Sequence, residues 1–203
     1  MTIRVSGTEG YGETAAERVK QYESLAFPDV HRHMMHLFPT TPSLIIDIGA
    51  GTGRDAAGFA DLGHTVTAVE PTSELRTSAE RLHPHPAITW IDDALPDLDR
   101  VHALGERYDI VMLTAVWMHL DLGQRERAMA RVAPLVNPGG LMALSLRHGP
   151  VPAGACLMSR PRRRARWPDG TASRSSTRAK VLPTWAAPPC GGTGSLSGLR
   201  DSW

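Results

Sequence analysis

Short apolar segments alternate with helical segments along most of this 203-residue chain. Five of the apolar segments are rich in β-branched residues and have the length of strands buried on both faces. They are residues 43–48, 65–69, 87–91, 108–113 and 141–146. Helices are predicted over residues 54–62, 72–82 and 122–136, the last ended by Asn137-Pro-Gly-Gly140. This alternation predicts an α/β fold with a parallel sheet, helices on both faces, and ligands bound outside the carboxyl ends of the strands.

The residues before the first strand follow a different pattern. Apolar positions over residues 13–37 recur with a helical period, and Pro28 is expected to divide the run into two helices. We therefore expect a helical cap over residues 1–42, followed by a ligand-binding domain over residues 43–150. The N-terminus has no apolar secretory region and no stretch of the chain is apolar enough to span a membrane, which predicts a cytoplasmic protein.

Glycines occupy alternate positions directly after the first predicted strand, in the segment Asp47-Ile-Gly49-Ala-Gly51-Thr-Gly53. Without Cβ atoms, the backbone can turn sharply into the next helix and a ligand can lie against the main chain. The spacing is neither the G-x-G-x-x-G of pyrophosphate binders nor a P-loop. A carboxylate at Asp47 would repel a phosphate and attract an ammonium group, so the segment favours a ligand with an amino-acid part.

Acidic residues also follow the second and third predicted strands. Glu70 comes 23 residues after Asp47, and its carboxylate can accept both hydroxyls of a ribose. Asp93 comes a further 23 residues along and is preceded by Asp92. An acid at this position can accept the exocyclic amino group of adenine, and we favour Asp93 because Ala-Leu-Pro follows it. The alternative is that one of these two aspartates is an exposed turn residue.

Five motifs in this order resemble the class I S-adenosylmethionine-dependent methyltransferases: the glycine segment, Glu70, Asp93-Ala94, Asp109 and Asn137-Pro-Gly-Gly140. The resemblance covers about residues 10–150 and implies a Rossmann-like fold with S-adenosylmethionine as cofactor. It implies that the glycine segment lines the methionine part, that Glu70 holds the ribose, and that Asp93 and Ala94 contact adenine. The cofactor-binding residues expected from it are Asp47, Gly49, Ala50, Gly51, Thr52, Gly53, Glu70, Pro71, Asp93, Ala94 and Thr114.

The segment Thr114-Ala-Val-Trp117-Met118-His119 follows the fourth strand and resembles the part of the family that faces the methyl acceptor. His119 is the candidate general base or acceptor contact; the alternative is a histidine that orients the loop before Asp121. Trp117 and Met118 are expected in the core more often than in the pocket. Tyr11 and Tyr22 either close over the cofactor or pack the leader helix.

Histidines near residue 33 do not predict a metal site. His33 and His36 are spaced to share a helical face, whereas His31 is not, and no carboxylate or cysteine completes a ligand set. The sequence His83-Pro-His85-Pro is predicted to be an exposed loop. We expect no metal.

The composition changes near residue 150. Residues 1–150 hold 13 basic and 19 acidic side chains, a net charge of −6, whereas residues 151–203 hold 9 and 2, a net charge of +7. The last 53 residues lack several residue types and have no apolar period, so we interpret residues 151–203 as a disordered or out-of-frame terminus. The helix and two strands that usually complete the family sheet are then missing.

Three functions are compatible with these observations. The first is transfer of a methyl group from S-adenosylmethionine to a small molecule, since the acidic body gives no reason to expect nucleic acid or an anionic membrane as partner. The second is a cofactor-binding chain without turnover. The third is nucleic-acid binding through the arginine-rich run at residues 160–166.

Overall fold

The computed structural model describes residues 15–145, with side chains from residue 18 onward. The sheet in this part has five parallel strands in the order β3-β2-β1-β4-β5. The strands are β1 Leu44–Ile48, β2 Thr65–Val69, β3 Ile88–Ile91, β4 Tyr108–Thr114 and β5 Val136–Ser145. The helices are α1 Ala15–Glu23, α2 Phe27–His31, α3 Arg54–Asp61, α4 Ser73–Leu82, α5 Asp99–Ala103 and α6 Leu122–Val132, with short 3₁₀ helices at Met35–Leu37, Trp117–His119 and Ala133–Leu135. The predicted parallel α/β sheet is confirmed.

The sheet separates two hydrophobic clusters, so helices cover both of its faces as predicted. Ile45 of β1 lies in the cluster formed with α2 and α3, and the next residue, Ile46, lies in the cluster formed with α5 and α6. Alternation is interrupted in β4, where the pairing with β5 shifts register between Tyr108 and Ile110. The irregularity places Tyr108 in the α5/α6 cluster together with Val111.

The last strand begins earlier than predicted. The segment Asn137-Pro-Gly-Gly140 lies inside β5, not before it, and α6 ends at Val132, not at residue 136. Two hydrogen bonds to Asp109 explain the position: its carboxylate accepts from Asn137 Nδ2 and from the Leu44 backbone N–H, both at 2.9 Å. Asp109 therefore joins the starts of β1, β4 and β5, and holds the glycine-rich segment against the sheet.

The leader forms two helices, as Pro28 predicts, with Pro28 in the first turn of α2. The short helix α5 was not predicted, because only five residues form it. Tyr11 and the whole terminus after residue 150 lie outside the described residues, so the expectations about them remain predictions. Within residues 15–145, no helix is long and apolar enough to cross a membrane.

Two helical glycines differ in the space around them. A Cβ atom at Gly58 of α3 would lie 2.3 Å from Phe27 Cγ, whereas one at Gly123 of α6 would meet nothing closer than Asp121 Oδ1 at 3.6 Å. Helix propensity favours alanine over glycine at both sites. If alanine destabilises the protein at residue 58 and stabilises it at residue 123, the difference is due to the packing of α2 on α3.

We predict that Gly58→Ala lowers the free energy of unfolding by about 1–3 kcal/mol through overpacking. Gly123→Ala should raise it by up to about 1 kcal/mol. Urea denaturation of both variants measures the difference. Stabilisation by Gly58→Ala would show that Phe27 does not occupy this position.

Candidate functional site

The candidate site lies at the carboxyl ends of the strands, where the strand order reverses. β1 lies between β2 and β4, and the chain leaves β1 toward β2 before it returns to β4 on the other side. The connections that follow β1 and β4 therefore leave these neighbouring strands in opposite directions, and a crevice forms between them. Ligands bind at this position in open parallel sheets. The glycine segment follows β1 and borders this crevice; we call residues 49–53 the glycine loop.

The glycine loop turns over the end of β2 in a conformation that requires glycine. Gly49 and Ala50 donate backbone hydrogen bonds of 2.7 and 2.9 Å to the carbonyl oxygen of Val69. Gly49, Gly51 and Gly53 have φ angles of 77°, 59° and 84°, the left-handed region that other residues disfavour. A Cβ atom at Gly49 would also lie 2.5 Å from a methyl group of Val116. A side chain at Gly49 would therefore collide with Val116.

Asp47 lies beneath this loop and is 1% exposed. Its Oδ2 atom has no hydrogen-bond partner among the described residues. Burial, with additional repulsion from Asp55, raises the pKa of Asp47 well above its ordinary value. A buried carboxylate with an unused oxygen is suited to a cationic ligand, as the sequence predicted for an ammonium group.

Glu70 follows β2 and is 5% exposed. Its Oε2 accepts from the Gly51 N–H at 2.9 Å and its Oε1 from the Thr72 N–H at 2.8 Å. Burial raises the pKa of Glu70, although these hydrogen bonds and the charge of Arg76 act in the opposite direction. The carboxylate thus links the glycine loop to the loop after β2, which contains Pro71.

The two aspartates after β3 have different surroundings. Asp93 is buried, and its carboxylate accepts from the backbone N–H groups of Ala94 and Val101 at 2.8 and 3.0 Å. The Asp92 side chain is 45% exposed and lies 3.3 Å from Arg76 Nη1, which also donates to the Glu70 carbonyl oxygen. The sequence did not single out Arg76. The only sequence signal for its role was its position, one turn into the helix that follows Glu70.

A second wall of the crevice follows β4. The Thr114 hydroxyl is buried and has no hydrogen-bond partner within residues 15–145. Ala115 adopts a left-handed φ of 55°, and its N–H donates to Ser145 Oγ at 2.9 Å. A left-handed alanine stores about 1–2 kcal/mol, and here it turns the chain so that Val116 reaches Gly49.

His119 lies at the end of the 3₁₀ helix after β4 and is half-buried. Burial, together with the positive charge of Arg18 on α1, lowers the pKa of His119 below its ordinary value of 6.5. Trp117 and Met118 are buried, and Trp117 belongs to the cluster shared with α6, consistent with a core position. His119 is therefore a neutral imidazole at physiological pH, next to a cation from the leader helix.

The end of α1 covers the glycine loop. The Tyr22 ring lies 3.7 Å from the position of a Cβ atom at Gly51, and Tyr22 Oη accepts from Arg18 Nη1 at 3.4 Å. The Thr52 hydroxyl, predicted to line the cofactor, donates instead to Glu23 Oε1 at 2.5 Å. Sequence reasoning missed Glu23, since only the tertiary fold brings residue 23 to residue 52.

A buried ion pair holds α2 against the start of α3. His31 Nε2 lies 2.8 Å from Asp55 Oδ2, and Arg54 Nε donates to the other oxygen at 2.8 Å. Burial alone would raise the pKa of Asp55, but the His31 hydrogen bond and both positive partners hold it below its usual range. The sequence pattern assigned no role to Asp55, although an acid within the apolar face of a helix requires a partner.

No three histidine, cysteine or acidic side chains in the described part of the chain are grouped to hold a metal ion. His31 is committed to Asp55, and His33 accepts from Arg32 Nε at 3.0 Å. His33 also lies between α2 and the following 3₁₀ helix, so it shares no helical face with His36, contrary to the spacing argument.

Comparison with known proteins identifies the domain. A family model described as a methyltransferase domain matches residues 45–140, from β1 to the glycines of β5. An uncharacterised methyltransferase of Oceanobacillus iheyensis is 23% identical over 132 residues, which are 65% of this chain and 59% of the relative. The ubiquinone biosynthesis O-methyltransferase of Rhizobium leguminosarum is 29% identical over 128 residues, which are 63% of this chain and 50% of the relative.

A solved structure has the same fold. It is the methyltransferase chain of a Haloferax volcanii complex with the Trm112 methyltransferase activator, with a TM-score of 0.51 and 17% identity over 64% of this chain and 57% of that one. This chain spans between half and three fifths of the length of the curated relatives it matches. The parallel sheet, the glycine loop and these matches support a class I S-adenosylmethionine-dependent methyltransferase domain over residues 45–140.

Proposed function

We propose that this protein binds S-adenosylmethionine in the crevice between β1 and β4 and transfers its methyl group to a small molecule. One observation carries the proposal: the buried Asp47 carboxylate has an unused oxygen beneath the glycine loop, at the edge of the sheet where ligands bind in open parallel sheets. The unpartnered Thr114 hydroxyl across the crevice supports it further. Unsatisfied buried polar atoms are rare in folded proteins, and two beside one crevice favour a polar ligand there.

The described residues fit the parts of this cofactor. Asp47 would hold the ammonium group of its methionine part, the backbone of Gly49–Gly53 would contact the chain that follows, and Glu70 would accept the ribose hydroxyls. Asp92, Asp93 and Ala94 follow β3 at the same edge, toward the adenine. Because Asp93 already accepts two backbone hydrogen bonds, we propose that it holds the adenine-side loop in place as well as contacting the ring.

The cofactor supplies an electrophilic methyl group on a sulfonium centre; the protein supplies alignment, water exclusion and removal of a proton. We propose that His119, at the end of the 3₁₀ helix after β4, accepts the proton of a hydroxyl or amine acceptor; its lowered pKa, which favours the neutral imidazole, supports this role. The end of α1 excludes water from the glycine loop through Tyr22. Alignment and a dry site account for most of the rate in such a displacement.

A small-molecule acceptor is favoured by the net negative charge of residues 1–150, which gives no reason to expect nucleic acid as the acceptor. One curated relative is named as an O-methyltransferase of ubiquinone biosynthesis, which supports a hydroxyl as the methylated group. The second candidate, a cofactor-binding chain without turnover, would bind S-adenosylmethionine and give no product with any acceptor.

Asp47 provides the test of cofactor binding. Burial raises the pKa of Asp47 in the folded state. At pH values above its ordinary pKa near 4, the ionised side chain therefore lowers the stability of the folded protein. We predict that Asp47→Asn binds S-adenosylmethionine at least tenfold more weakly at pH 7.5 by calorimetry. Without ligand, the stability of the wild type relative to the variant should fall as the pH rises from 4 toward neutrality.

The matched control is Asp61→Asn, which removes an exposed carboxylate at the end of α3. It should change neither cofactor affinity nor the pH dependence of stability. Equal cofactor affinity of Asp47→Asn and the wild type would refute the assignment of Asp47 to the ammonium group.

His119 provides the test of catalysis. With a panel of phenols and amines and detection of S-adenosylhomocysteine, we predict that His119→Ala lowers kcat/KM by about 10²–10³-fold. Cofactor affinity should be unchanged. The wild-type kcat/KM should fall only below pH 6.5, where the lowered pKa of His119 lies, and His119→Ala should lose this acidic limb.

The exposed His36 is the control, and His36→Ala should retain the wild-type rate and pH profile. A His119→Ala variant with the wild-type rate on every acceptor would show that the substrate loses its proton without this side chain.

A further inference from the structure

The Glu23 carboxylate at the end of α1 contacts two other elements. Its Oε1 accepts from the Thr52 hydroxyl in the glycine loop at 2.5 Å, and its Oε2 lies 3.1 Å from Nε2 of His83, directly after α4. Thr52 is 1% exposed, and the Glu23 and His83 side chains are 26% and 21% exposed. One side chain thus joins the leader helix, the glycine loop and the end of α4.

Further contacts hold the same turn of α1 over the loop. Arg54 Nη1, in the first turn of α3, donates to the Tyr22 carbonyl oxygen at 3.3 Å, and the Tyr22 ring lies against Gly51. The only charge-assisted hydrogen bond between α1 and the glycine loop in the described part of the chain is the one from Thr52 to Glu23. Such bonds are stronger than neutral ones, and this one is largely shielded from water.

A ligand that lies against the glycine loop is therefore covered by a helix fastened to that same loop. Movement of α1 away from Gly51 would break the Thr52–Glu23 bond. Glu23 belongs to neither the predicted cofactor contacts nor the acceptor side of the crevice.

We propose that Glu23 is a positioning residue that fastens α1 to the glycine loop through Thr52 and His83 and thereby sets the rate at which S-adenosylmethionine and S-adenosylhomocysteine leave the site. This inference rests on the proposed cofactor site. It adds a residue outside the strand-end motifs that acts on cofactor release and not on the methyl-transfer step.

The experiment measures release of tritium-labelled S-adenosylmethionine into excess unlabelled S-adenosylhomocysteine from the full chain. Glu23→Ala should release label about tenfold faster than the wild type, because a partly buried charge-assisted hydrogen bond is lost. Glu23→Gln keeps an oxygen that accepts from Thr52 and should restore most of the residence time. Glu80→Ala removes an exposed carboxylate from the neighbouring α4 and should leave the release rate unchanged.

A double-mutant cycle separates this role from a general loss of structure. Thr52→Val removes the hydroxyl at nearly constant volume, so the double variant Glu23→Ala/Thr52→Val should release label no faster than the faster of the two single variants. The inference would be overturned if the double variant increased the release rate by the product of the two single-variant factors, or if Glu23→Ala released label at the wild-type rate. If the wild-type protein binds no S-adenosylmethionine, the proposed function fails instead, and the two failures are thereby distinguished.

Discussion

The site depends on the sharp reversal of the chain at the end of β1. The backbone leaves the strand, passes over the end of β2 with two hydrogen bonds to the Val69 carbonyl oxygen, and enters α3. The left-handed conformations of this turn favour glycine, and at Gly49 a side chain would also collide with Val116. The same reversal buries Asp47 and brings the Gly51 N–H to Glu70, so the proposed cofactor contacts at two strand ends acquire their positions from one turn.

Two acidic side chains, Asp47 and Asp55, are buried near this turn, and burial of a carboxylate destabilises the fold. Polar partners compensate for the burial of one of them more than for the other. Asp55 has two partners, His31 and Arg54, whose hydrogen bonds and electrostatic attraction outweigh the cost of its burial and lower its pKa. Asp47, which faces the crevice, has no partner for Oδ2 among the described residues, and burial raises its pKa. The compensated acid, Asp55, fastens α2 to α3, whereas the uncompensated acid, Asp47, is the one proposed to hold the ammonium group of the cofactor. This difference is expected where a protein retains strain for binding rather than for stability.

Much of the fold was predictable because each strand and most helices carry their own local signal. Buried β-branched runs, glycines after a strand and Asp121 as a helix cap determine local conformation without reference to distant residues, and the Asp121 cap forms a reciprocal pair with Gln124. The start of β5 was mispredicted because local chemistry marks Asn137-Pro-Gly-Gly140 as a break, while the Asp109 carboxylate, 28 residues away in sequence, keeps it in the sheet. Within the site, the backbone positions followed from strand order, but the side-chain partners did not.

The sequence by itself determined the order of elements, the edge of the sheet where acids and glycines lie, and the family that the motifs resemble. These properties depend on periodicity and on residues close together in the chain. The tertiary structure alone decided that Thr52 contacts Glu23, that Asp93 binds backbone amides while Asp92 faces solvent, and that Arg18 lies near enough to His119 to lower its pKa. Each of these contacts joins elements separated by a crossover or by the leader helix. Their partners are set by how the elements pack, and no local pattern in the chain encodes that packing.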